Sequence, residues 1–160
     1  MKVSGGIIVF LCGVAGSLVG TAVALSQDHP GVVANTDQAH VVVYRTGRHR
    51  DPKMIKPSVY CDDKEVALMY AQRFFTINLS PGQHRISSSD EHTVVSLDAK
   101  AGVTYYVRVS VVRGFWINNT FKVEQVDTNT AHGELATLKP AEPIHVKAPE
   151  IVSTGAISKR

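Results

Sequence analysis

Cysteine is nearly absent from this chain. Of 160 residues only Cys12 and Cys61 are cysteines, and Cys12 lies in an apolar N-terminal run, so Cys61 has no second thiol in the folding part of the sequence. A disulfide framework is excluded. No Cys-x-x-Cys and no Cys/His ligand spacing occurs either, which removes the usual structural zinc motifs. Charge of one sign is also missing in bulk: the formal net charge is +3, well below the basic excess of a nucleic-acid binder. The length allows one core and not two. What is present is ordinary globular balance, 44% apolar and 19% charged residues, which argues against disorder through the middle of the chain.

The first segment reads as an address. Met1-Lys2 gives a short positive start, and Val3 to Leu25 then runs 23 residues without a charge. Gly5, Gly6, Gly13, Gly16, Ser17, Gly20 and Thr21 dilute that run, and Ala22-Val-Ala24 is a small-x-small site. The expectation is a signal peptide over residues 1–24, with an uncleaved anchor over 3–25 as the alternative. Lipid attachment at Cys12 needs a small residue before it, and Val9-Phe-Leu stands there instead. The domain is expected to be exported, whether periplasmic, extracellular or membrane-anchored.

Residues 25–38 contain Pro30, Gly31, Asn35 and Asp37 without periodicity and read as a linker. From residue 39 the pattern is that of strands. Thr104 to Val111 alternates apolar and polar side chains, which places Tyr105, Val107, Val109 and Val111 on a core face and Thr104, Tyr106, Arg108 and Ser110 outside. Ala39 to Arg45 is apolar at consecutive positions and should be central. Ser58 to Cys61, a short strand within Glu65 to Arg73, Phe74 to Leu79, Gln83 to Ser87, His92 to Asp98 and Phe115 to Val126 complete the set, with Ser80-Pro-Gly82 expected to fold Gln83–Ser87 back on Phe74–Leu79. The fold class is therefore all-β, an antiparallel β-sandwich of about seven or eight strands over residues 39–138. Residues 139–160 carry Pro140, Pro143 and Pro149 with no sustained pattern, and are expected to be a disordered tail.

Four segments carry a resemblance. Val41-Val-Val-Tyr-Arg45, Val59-Tyr-Cys-Asp-Asp-Lys64, Phe75-Thr-Ile-Asn-Leu-Ser-Pro-Gly-Gln-His84 and Ala101-Gly-Val-Thr-Tyr-Tyr-Val-Arg108 resemble the bacterial family called domain of unknown function 2846, and more distantly small PEGA-type surface modules. The resemblance spans residues 39–138. It implies an exported, often lipoprotein-like β domain and no catalytic residue; from the residues themselves no cofactor and no metal site is expected.

Candidate chemistry is sparse. His84, Asp90, Glu91 and His92 form the densest polar cluster and would serve a metal-dependent hydrolase only if they converged; a solvated loop is the simpler reading. Asp62 and Asp63 sit in a turn, where adjacent carboxylates usually point apart. Cys61 alternates with Val59 and should face inward as a small hydrophobe. Tyr106, outward on its strand, and Trp116, at a loop edge, are the candidate aromatic contacts, although burial of Trp116 as a cap is expected. Asn118-Asn-Thr120 fits a glycosylation sequon that a bacterial chain would not use.

Charge gives the one functional pointer. Arg45, Arg48, Arg50, Lys53 and Lys56 oppose Asp51 alone, so this loop carries +4 and everything else sums to −1. Such a patch suits an anionic lipid, an acidic cell-wall polymer or an acidic envelope protein. The expected function is a non-enzymatic binding or assembly module of the cell envelope. A structural, membrane-anchored subunit of an envelope complex is the further alternative.

Overall fold

A computed structural model describes residues 37–47, 55–89, 93–113 and 119–155. The signal or anchor segment, Arg48, Arg50, Lys53, the cluster Asp90, Glu91 and His92, Trp116 and Asn118 lie outside these residues. Among the described residues no helix is long and apolar enough to cross a membrane.

Among the described residues ten strands build two sheets. In the first, β1 (Ala39–Arg45) lies between β4 (Arg73–Leu79) and β7 (Thr104–Arg113), and β8 (Asn119–Val126) closes one side of β7. The second sheet has the order β3 (Lys64–Leu68), β2 (Ser58–Cys61), β5 (Gly82–Ser88), β6 (Val94–Ala99). Val41, Val43, Phe75, Ile77, Val107 and Val109 from the first sheet meet Val59, Val66, Ile86 and Leu97 from the second in one core. At about 1.5–3 kcal/mol per fully buried apolar side chain, this layer is the main stabilising term. The all-β sandwich and the inward face of β7 follow the alternation of the sequence.

The sandwich is not wholly antiparallel. β1 runs parallel to β7, with Val43 opposite Val107, because the whole second sheet intervenes between them in the chain. Ser80-Pro-Gly82 does not close a hairpin either. β4 belongs to the first sheet and β5 to the second, so this turn carries the chain across the sandwich, with Gly82 at φ 142 where a side chain would be strained.

A third layer was not legible in the alternation. Helix α1 (Thr128–Leu135) starts at Asp127, whose carboxylate accepts from the Thr130 N–H at 3.0 Å. Its Ala131 and Leu135 cover Val42, Tyr44, Phe74 and Tyr106 on the outer face of the first sheet. β1 is consequently buried on both faces, as its run of apolar residues demands.

Residues 139–155 correct the expectation of a tail. β9 (Lys139–Pro140) pairs in parallel with the start of β4, a 3-10 turn spans Pro143–His145, and β10 (Val152–Ser153) pairs antiparallel with Ile77 and Thr76. Ala141, Ala148 and Val152 are buried. The prolines sit where β4 leaves an edge to be covered in short pieces, so no period develops.

Candidate functional site

Polar side chains gather in three places among the described residues. The first is the turn between β2 and β3. Cys61 pairs with Lys64, and the two residues between them, Asp62 and Asp63, both have positive φ, at 50° and 64°. This is the backbone of a two-residue hairpin loop of the I′ kind, which aspartate tolerates better than most residues. Asp62 is tied across to β5: its N–H donates to the Arg85 carbonyl at 2.9 Å, and its Oδ1 accepts from the Arg85 N–H at 2.8 Å. The two aspartates do point apart, Asp63 toward the Arg85 guanidinium at 3.8 Å and Asp62 toward His84.

His84 is held from both sides. Nδ1 is 2.7 Å from Asp62 Oδ2 and Nε2 is 2.8 Å from the Ser80 carbonyl. Both partners are acceptors, so each ring nitrogen is placed to donate. Partial burial works against a charged ring, but the bonds to Asp62 and Ser80 outweigh it and hold the pKa above the usual histidine value. The same burial would raise Asp62, yet the bonds from His84 and the Arg85 N–H hold its carboxyl below the usual range. Cys61 Sγ lies 3.8 Å from Asp62 Oδ2, and burial together with that carboxylate pushes its thiol up to about 12. A thiol so placed is no nucleophile near neutral pH.

The second place is the base of the basic loop. The charge pattern places Arg45 in the surface patch, and the structure corrects this: it is fully buried, with Nη1 donating to the Ile55 carbonyl at 2.7 Å and toward the Met69 carbonyl at 3.4 Å. Strand position explains the difference, because Arg45 is the last residue of β1 and lies opposite Arg73 inside the sheet. Its guanidinium therefore ties the strand to the residue at which the chain returns from the loop. Next to that point Lys56 is exposed, with Nζ 4.5 Å above the Tyr70 ring, and Tyr70 stacks on His145 at 3.9 Å. Glu142 in turn meets Arg73 and His145. No local pattern signals this stack, since Tyr70 and His145 lie 75 positions apart by their numbers.

Tyr106 is also placed otherwise than expected. It leaves the sandwich core as its alternation requires, but α1 covers it, and its hydroxyl is 2.8 Å from His132 Nε2. It is a docking contact within the fold and presents no open stacking face. Beside it Arg108 donates through Nε and Nη2 to Glu124 and through Nη1 to Glu134, while the Tyr44 hydroxyl donates to the other Glu134 oxygen at 2.7 Å. This network fastens α1 to the sheet.

The network sets a pH dependence. The Lys122 bond, followed against some burial by that of Arg108, holds Glu124 below its ordinary value of 4.5. A depressed carboxylate adds stability that is present above its unfolded value and lost as pH falls through the folded one. Thermal melts of wild type and Glu124→Gln should therefore differ most at neutral pH, by about 1 kcal/mol for a charged bond discounted for solvent, and converge on acidification below 4.5. A gap that is constant with pH would remove Glu124 as its source.

Comparison with known proteins yields one finding. A family model described as a protein of unknown function, DUF2846, matches residues 35–122. No curated protein and no solved structure matches the chain. The matched span includes both ends of the basic loop, the β2–β3 turn and His84, and stops short of α1 and the strands that cover β4.

Proposed function

Since the chain belongs to the DUF2846 family, which prescribes no reaction, we propose that it is an exported, non-enzymatic binding module whose 45–56 loop meets an anionic surface of the cell envelope. With Arg45 assigned to the interior, Arg48, Arg50, Lys53 and Lys56 against Asp51 still leave +3 in this loop, equal to the net charge of the entire chain. The observation that carries the reading is the anchorage of the loop. A buried guanidinium ties its last strand residue to the carbonyl of Ile55, and Lys56 is lodged on the Tyr70–His145 stack. A charged segment that leaves and re-enters a rigid base loses less freedom when it binds.

Export rests on Met1-Lys2, the uncharged run to Leu25 and Ala22-Val-Ala24.

The test is retention on vesicles of anionic lipid and, separately, on an acidic cell-wall polymer, across a salt series. Wild type should bind at low salt and lose affinity several-fold as ionic strength rises past about 0.1 M, where screening acts over ~10 Å. The variant with Arg48, Arg50 and Lys53 all changed to Ser should bind neither. Equal binding by both proteins, or none by wild type, rejects the proposal.

A further inference from the structure

Independently of the basic loop, we infer that Cys61, Asp62 and His84 form a site for a thiophilic divalent cation of the class of zinc. One sulfur, one carboxylate oxygen and one ring nitrogen, drawn from the β2–β3 hairpin and from β5, all lie within 4.8 Å of one another. Tetrahedral zinc holds such donors about 3.3–3.8 Å apart. Ligation therefore asks for shifts of about 1 Å, at a place where the Asp62 side chain is about half exposed. A sulfur, nitrogen and oxygen set excludes magnesium and calcium, which take shells of oxygen.

The surroundings are those of a ligating histidine. The other ring nitrogen, Nε2, donates to the Ser80 carbonyl at 2.8 Å, which fixes the ring and leaves Nδ1 as the ligating atom. Asp62 Oδ1 is engaged by the Arg85 N–H, so Oδ2 is the oxygen left for a cation. That same Oδ2 is the common neighbour of Nδ1 at 2.7 Å and of Sγ at 3.8 Å. Two hydrogens, one on nitrogen and one on sulfur, thus point at one carboxylate oxygen. A cation entering there replaces both, releasing them to solvent, and supplies the positive charge that a buried thiolate beside a carboxylate needs. Three protein ligands leave the fourth tetrahedral position to water.

Cobalt(II) and zinc(II) titration of the reduced, chelator-treated full chain tests this. Cobalt should bind at one equivalent with a near-ultraviolet thiolate-to-cobalt charge-transfer band, zinc should displace it, and zinc should raise the melting temperature. Cys61→Ala should abolish the band. Asp62→Asn and His84→Gln should each weaken zinc at least ~10-fold, the scale on which lost ligand support is felt, with the far-ultraviolet spectrum reporting that the sheets remain. Absence of binding, cobalt bound without the band, or a band that survives Cys61→Ala would each overturn the site.

Discussion

Val107→Asp should abolish cooperative folding or cost about 3–5 kcal/mol, because it places a carboxylate where no water reaches. Val107 is fully buried between the sheets, and its strand is paired on both sides, by β1 and by β8, so the backbone cannot move aside. Its neighbour makes the sharper comparison. Alternation alone puts Arg108 outside, where Arg108→Asp would cost ~0.5 kcal/mol or less. The structure gives Arg108 two glutamates, Glu124 and Glu134, at 2.6–2.9 Å. An aspartate there would stand as a third carboxylate among them, and the expected loss rises to about 2–4 kcal/mol. Arg108→Met keeps the packing and removes the charge, so it should fall between. Denaturant melts decide the matter: an Arg108→Asp protein as stable as wild type would mean that α1 is not fastened through this network. A Val107→Asp protein that melts normally would mean the register of β7 is wrong by one residue, which exchanges its faces.

A chain ending at Leu138 should fail to fold to wild-type stability, with a loss of about 3–5 kcal/mol, a large part of the total for a domain of this size. The segment beyond covers the outer edge of β4 and that of β3. Ala141 N–H donates to Phe74 at 2.7 Å, Asn78 N–H to Ile151 at 2.7 Å and Lys147 N–H to Val66 at 2.8 Å, and removal exposes all three strand partners. Ala141, Ala148 and Val152 also leave the core. Ordering these residues has its own entropic cost, which is why the net figure is smaller than the sum of the contacts. Ala148→Asp in the full chain, at a fully buried position, should reproduce most of the loss. A soluble chain ending at Leu138 with an unchanged denaturation midpoint would show that the covering segment is dispensable.

The two candidate sites differ in how far sequence reaches them. The basic loop is visible as composition, because like charges over a dozen positions need no partner to be counted. Its burial of Arg45 is not, since whether the last residue of a strand turns into the core depends on which strand lies beside it. The Cys61–Asp62–His84 group is a product of strand pairing: β2 and β5 are antiparallel, with Cys61 opposite Ile86, and that register carries the turn at Asp62 to the start of β5. Twenty-two positions separate Asp62 from His84. No ligand spacing links them in the chain.

Local chemistry alone determined that this protein is a two-faced β domain. Val, Ile, Tyr and Phe at every second position from Phe74 to Leu79 and Thr104 to Val111, with Gly and Pro between runs, leave few other ways to bury that surface. It also determined that β1 would be central, because four consecutive buried residues, Val41 to Tyr44, require cover on both faces. Only the tertiary structure decided what that cover is. Helix α1 has Thr128, Asn129, Thr130 and Gly133, residues of poor intrinsic helicity, and forms because Ala131 and Leu135 find an apolar face while Glu134 finds Arg108 and Tyr44. The pieces after Leu138 are too short to carry a period, and β4 organises them through hydrogen bonds that exist only once the sheet does. Periodicity reports which face a side chain takes; what stands opposite that face is set by elements distant in sequence.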